Sequence, residues 1–280
     1  MTARPPDGAV LMGHGSRDAA AAAEFSALAN GVAQALRVPV EPGFLEFAGV
    51  GGVPSIQEAF ERRVADGARR LAAIPAILFA GGHATQDMPA QVECARARWP
   101  WLEIGCADLV GIDDALLDSL VERADAAVAS LPPRAPEETA LLLVTSGSAR
   151  REANADVFKA ARLLADRAAG RCVEVAFLRL SRPYLQDAAA RCARLGARRV
   201  VVLPLFVTTG LLARRVPRKL VWLRERFSGL EFVELPHVSL EPVFVRLLAE
   251  RGLEAFGGTP RQAPVRTPVR LTPGQERCRV

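Results

Sequence analysis

The 280-residue chain has little of what most directly advertises chemistry: three histidines, five cysteines and an aromatic content of 6%. The cysteines, at positions 94, 106, 172, 192 and 278, form no C-x-x-C pair. That spacing argues against a zinc ribbon and a disulfide framework, and leaves reduced thiols as the expectation. Scarce aromatics, no lysine-rich run and a net charge of only +5 leave a nucleic-acid partner without support. Long apolar runs are missing as well. The longest, Leu71 to Ala80, contains Pro75 and falls far short of the ~20 residues a membrane helix needs. The opening MTARPPD leads into a short strand-like run and not into a signal-peptide core, so a cytoplasmic protein with no membrane partner is expected.

What is present is the composition of a globular protein, 50% apolar and 24% charged, long enough for two domains. The segment LPPRAPEE from Leu131 reads as a linker, because its prolines break any regular element. The pattern repeats on either side. Gly15-Ser16 with RDAAAAAEF aligns with Gly147-Ser148 and ARREANADV, and VEPGFLEF (40–47) aligns with VEVAFLRL (173–180). DGARRLAAIPAILFAGG (66–82) aligns with LGARRVVVLPLFVTTGL (195–211), the first copy carrying extra residues around Gly49–Gly52. An internal duplication is the reading.

Each copy alternates short apolar runs with alanine- and arginine-rich stretches of helical period. Strands are expected at 9–12, 38–44, 73–79 and 102–106, then at 140–145, 173–178, 199–207 and 231–235. Helices are expected near 19–36, 55–70, 87–98 and 113–129, then at 151–168, 183–195, 214–227 and 240–254. This alternation predicts an α/β fold: two similar flavodoxin-like domains, each a parallel sheet flanked by helices. The expected division is 1–130 for the first domain, 137–257 for a degenerate second copy, and 258–280 for a proline- and arginine-rich disordered tail.

Ligands in parallel sheets bind at the carboxyl ends of the strands. There the first copy places His14 after its first strand, Glu46 after its second and His83 after its third. A lone histidine at a turn is more often a structural group, and a lone glutamate is usually solvated. Three such residues at equivalent strand ends instead make a borderline ligand set for Co²⁺, Ni²⁺, Fe²⁺ or Zn²⁺. So few protein ligands leave coordination positions open, as transfer or catalysis requires. The second copy has Ser146, Arg179 and about Leu212 at those places, so the whole set was lost together. Ser16 is no hydrolase nucleophile, since G-H-G-S lacks the G-x-S-x-G elbow. His237, after the last strand, is expected to be structural.

The motifs GHGSRDAAAAAEF, VEPGFLEFA and PSIQEAFERRVADGARRLAAIPAILFAGGHATQDMP resemble the sirohydrochlorin chelatases of the CbiX type, the class II tetrapyrrole chelatases. The second half resembles the C-terminal repeat of their long form, so the likeness spans roughly 8–257. The resemblance implies two chelatase-like domains facing a shared cleft. It also implies insertion of Co²⁺ into sirohydrochlorin on the way to cobalamin, with Fe²⁺ (sirohaem) and Ni²⁺ insertion as alternatives and a non-catalytic tetrapyrrole or metal carrier as a further one. His14 and His83 then bind the metal and Glu46 supplies the adjacent carboxylate, as ligand or base. The metal is a substrate, and no organic cofactor is implied. For the acidic tetrapyrrole, Ser16, Arg17, Arg214, Arg215 and Lys219 are the candidate contacts, with Arg218 beside them; paired arginines suit carboxylates by bidentate bonding. One chain with a pseudo-twofold pair of domains, a monomer, is expected. Two departures stand out. Val53 occupies the place of the family's acidic residue before Pro-Ser, and Cys278 alone cannot form a cluster site.

Overall fold

A computed structural model describes residues 4–257 apart from Leu240. The tail expected at 258–280, with Cys278, lies outside the described residues. Among the described residues, eight strands and eight α-helices alternate: β1 (Gly8–Gly13), α1 (Ala19–Leu36), β2 (Val40–Phe44), α2 (Ile56–Ala65), β3 (Arg70–Pro75), α3 (Met88–Arg98), β4 (Glu103–Cys106) and α4 (Asp114–Val128). The second half continues with β5 (Thr139–Thr145), α5 (Arg151–Ala165), β6 (Cys172–Phe177), α6 (Leu185–Arg194), β7 (Arg199–Pro204), α7 (Arg215–Arg226), β8 (Glu231–Glu234) and α8 (Pro242–Glu254).

The strands form two parallel sheets of four, ordered β2-β1-β3-β4 and β6-β5-β7-β8. The near-continuous apolar sequences of β1, β3, β5 and β7 suit strands buried on both faces. Alternation along β1 sends Val10 and Met12 to an outer core with Phe60 and Met88, and Ala9 and Leu11 to an inner core with Phe25 and Leu28. In both sheets the chain steps to one side of the first strand and then to the other. The central pair β1/β3, and its counterpart β5/β7, is therefore a topological switch point where a crevice opens at the strand ends.

One expectation is corrected. The third strand of each half is 70–75 and 199–204, and does not run to 79 or 207. Pro75 and Pro204 have no N–H to donate to an edge strand, and the last bonds to β1 and β5 come from the Ala76 and Leu205 N–H groups that follow. Two helices pack across the expected division into 1–130 and 137–257. α8, from the second half, packs on α1 and β3, while α4, from the first half, packs on α5 and β7. The result is one apolar cluster that runs through both halves, with Leu116 and Leu120 of α4 and Phe244 and Leu248 of α8 among its members. No helix among the described residues is long and apolar enough to cross a membrane.

Candidate metal centre

The duplication is visible in how the strand-end loops are built. Gly15 (φ 101°) and Gly147 (φ 81°) let the chain run so close to the neighbouring loop that a Cβ would stand 1.9 Å from the Glu46 carbonyl oxygen and 2.2 Å from that of Arg179. No side chain fits there, hence the glycine after each first strand. The Glu46 N–H donates to the His14 carbonyl and the Arg179 N–H to the Ser146 carbonyl, both at 2.9 Å. Ser16 Oγ accepts the Asp18 N–H and Ser148 Oγ the Arg150 N–H, both at 3.1 Å. One scaffold therefore presents His14 and Glu46 in the first half and Ser146 and Arg179 in the second.

His83 reaches the same place by another route. It does not sit at the end of β3 but opens a wide π-helical turn, His83–Asp87, that leads into α3. Such turns are rare and concentrate at functional sites. The turn sets His83 Nδ1 2.9 Å from Asp87 Oδ2. A carboxylate favours an Nδ1–H donor, the tautomer in which a neutral imidazole offers its Nε2 lone pair to a metal.

His14, Glu46 and His83 converge. One ligand atom from each lies within 4.8 Å of the other two, and the two imidazoles stack at 4.2 Å between centroids and 29° between planes. A first-row ion held at about 2.1 Å from each donor spans donor pairs up to about 4.2 Å, so small side-chain rotations complete the grip. His14 and Glu46 are exposed and His83 half-buried, which leaves the centre accessible to a bulky second reactant.

The centre opens into a cavity of about 860 Å³ between the halves. That is toward the upper end of the roughly 300–1,000 Å³ usual for small-molecule pockets. Four arginines line it (Arg17, Arg150, Arg179 and Arg215) against two carboxylates, Glu46 and Asp87, so its walls attract anions. Of the expected substrate contacts, Ser16, Arg17 and Arg215 line the cavity. Arg214 does not, and pairs with Asp18 at 2.6 Å. Lys219 is exposed on α7 and likewise absent from the lining, as is Arg218. Their expected contact with substrate carboxylates therefore finds no support in the lining of the cavity. Sequence reasoning passed over Asp87, although it stands in the G-H-x-x-x-D motif, and gave Arg150 and Arg179 no role. Arg150 occupies the place of Asp18 in the second copy and donates to Thr85 Oγ1 at 3.1 Å across the cleft.

His237 is absent from the cavity lining. Its Nε2 lies 3.3 Å from Glu24, whose carboxylate also accepts the Thr209 N–H and hydroxyl at 2.7 Å each. Glu24 thus ties α1 to the far wall of the cleft. Val53 is buried in the inner core, so that position offers no charge to the site.

A family model for CbiX matches residues 8–127 and again 140–255. The chain belongs to the CbiX family. The two matched segments follow the duplication. Among characterised CbiX-like proteins, the sirohydrochlorin cobaltochelatase of Priestia megaterium is 29% identical over 250 residues, 89% of this chain and 80% of its own. The sirohydrochlorin ferrochelatase of the same organism is 29% identical over 215 residues, 76% of this chain and 78% of its own. A structure of SirB from Bacillus subtilis with Fe³⁺ superposes at a TM-score of 0.74 with 23% identity, covering 89% of this chain and 95% of that one. SirB from subspecies spizizenii in complex with cobalt gives 0.70 and 23%, covering 89% and 94%. These two likenesses establish the chelatase fold for this CbiX chain.

Proposed function

We propose that this protein is a sirohydrochlorin chelatase and that Co²⁺ is its metal substrate. The observation that carries the reading is the convergence of His14, Glu46 and His83 at the lip of an arginine-lined cleft. Insertion exchanges two pyrrolic protons for one divalent ion. Two imidazoles hold the ion long enough to aim it, and the small ligand set lets it leave for the macrocycle nitrogens. Glu46 offsets the ion's charge before transfer and is placed to take a proton as the pyrroles lose theirs. Arg17, Arg150, Arg179 and Arg215, with Ser16, receive the carboxylates on the macrocycle rim. Holding both reactants in one geometry then supplies much of the acceleration.

Imidazole and carboxylate accept Co²⁺, Fe²⁺ and Ni²⁺ alike, so the donor set does not choose the metal. The preference for cobalt rests on the cobaltochelatase relative, which aligns over more of this chain than the ferrochelatase does, at equal identity. The cleft draws both walls from one chain, which favours a monomer as the working unit. The test is to mix purified protein with sirohydrochlorin and each ion in turn and follow the absorption change. Co²⁺ is expected to insert fastest, and His14→Ala or His83→Ala to slow it by about a hundredfold or more, in line with removing a metal-positioning group. A folded His14→Ala variant that keeps the full rate would overturn the assignment of the centre.

A further inference from the structure

The exit loops of β2 and β6 carry a feature that metal binding leaves unexplained. Phe47 and Leu180 hold equivalent places in the two copies, one residue beyond Glu46 and Arg179. Both have left-handed backbone, at φ 57° and 60°. Both are exposed, by 36% and 63%, both line the shared cavity, and neither belongs to an apolar core cluster. A left-handed backbone brings Cβ against the following carbonyl, so glycine or asparagine is its usual occupant. Large apolar side chains are normally withdrawn from water. Each position is therefore unfavourable on two counts, and the two copies repeat it. Beside them the charge reversed, from Glu46 to Arg179, while the apolar bulk was kept. Strain of this kind at the rim of a cavity points to a ligand.

The surroundings indicate its shape. The Arg17 guanidinium lies over the Phe47 ring, 4.8 Å from its centroid, which puts a carboxylate-binding cation at the border of an apolar surface. Arg179 adjoins Leu180 in the same way along the chain. A flat ring with an acidic rim has that pattern: apolar faces, anionic edge. We propose that Phe47 and Leu180 are the apolar contacts that seat the faces of the tetrapyrrole macrocycle and set its plane against the His14–Glu46–His83 centre. This rests on the chelatase reading. Arginines alone would hold any polycarboxylate, whereas the apolar pair selects for a flat macrocycle.

The strain supplies the test. Phe47→Asn and Leu180→Asn keep a residue that tolerates left-handed backbone and delete the apolar surface. Both variants should melt no lower than the unaltered protein and should bind Co²⁺ alone equally well. Their affinity for sirohydrochlorin, read from its absorption with metal omitted, should fall about tenfold, the scale of one lost apolar contact. In turnover KM should rise by a similar factor and kcat change less. Leu180→Met, which keeps the bulk, should restore binding. A purely structural role gives the opposite, a lower melting point with unchanged binding. Asn variants that bind sirohydrochlorin as tightly as the unaltered protein overturn the proposal, as does Leu180→Met weakening binding as much as Leu180→Asn. Metal insertion by the unaltered protein is scored separately: its failure counts against the chelatase reading, while metal-free binding decides the seating role.

Discussion

On the proposed reading, Asp87 sets which nitrogen of His83 would meet an ion, and it does so from four residues away on a wide helical turn. With Nδ1 committed to the carboxylate, Nε2 is available to a metal beside the stacked His14 ring. Asp87→Asn removes the charge from that hydrogen bond while keeping its size. The variant should bind Co²⁺ about 10–100-fold more weakly, as loss of such partners generally does, with little change in sirohydrochlorin affinity. A calorimetric titration showing equal Co²⁺ affinity would mean that Asp87 does not orient the ligand. The meeting of His14 with Glu46 was readable from the sequence because strand–helix alternation fixes which residues stand at strand ends, whereas His83 comes to them from a turn well beyond the end of β3. Asp87 was not given a role, because its function depends on a π-helical turn that no periodicity announces. The ion pair of Arg214 was not legible either. Its neighbours in sequence are cationic, but the partner that neutralises it, Asp18, comes from the other half.

At the scale of elements, the loop that carries Glu46 is pinned at both ends. Phe44 N–H donates to the Pro54 carbonyl at 2.8 Å, and Gly49 N–H to that of Val53 at 2.7 Å. Just beyond, α2 starts in a capping box. Ser55 Oγ accepts the Glu58 N–H at 3.2 Å, and the Glu58 carboxylate accepts the Ser55 N–H at 2.7 Å and its hydroxyl at 2.8 Å. The Ser55 backbone N–H, then its hydroxyl, hold the Glu58 carboxyl below the usual carboxylate range. A carboxyl lowered on folding stabilises fully above its unfolded value, about 4.3, and that share is lost as pH falls through the lowered folded value. Ser55→Ala should therefore cost about 1 kcal/mol at pH 7, the usual worth of an N-cap. The gap to the unaltered protein, measured by urea unfolding, should narrow below pH ~4 as Glu58 protonates. A gap that does not change with pH would show that the Ser55 hydroxyl contributes nothing to holding Glu58 ionised, since both proteins keep the bond from the backbone N–H of residue 55. The Gly49–Gly52 insertion showed in the sequence that this loop differs between copies. The hydrogen bonds that fix it were not legible, because they join backbone atoms whose approach only the folded chain defines.

At the scale of the whole molecule, the duplication tells how many sheets there are and in what order their strands lie, but not which helix covers which sheet. Helical periodicity shows that α4 and α8 each bury a face; it does not name the surface they bury it against. The fold exchanges them. Phe244, fully buried on α8, belongs by sequence to the second half and by packing to the first, in one cluster with Phe25, Leu28 and Ile74. Arg251 of α8, almost fully buried, joins Asp113 at the start of α4 at 2.9 Å, so the two exchanged helices are tied to each other. Residues 1–130 expressed alone would therefore lack the cover of α1 and β3, and residues 137–257 alone would lack that of α5 and β7. Neither fragment should give the cooperative melting or sharp near-ultraviolet signal of a packed core, whereas the two produced together should associate and recover both. In the intact chain, Phe244→Ala should cost about 3–5 kcal/mol, the range for deleting a buried aromatic ring. Because the cluster is continuous through both halves, the loss should appear as one transition moved to lower temperature. Calorimetry resolving two transitions, with only the second half's moved by Phe244→Ala, would contradict the exchange and return α8 to the half that encodes it.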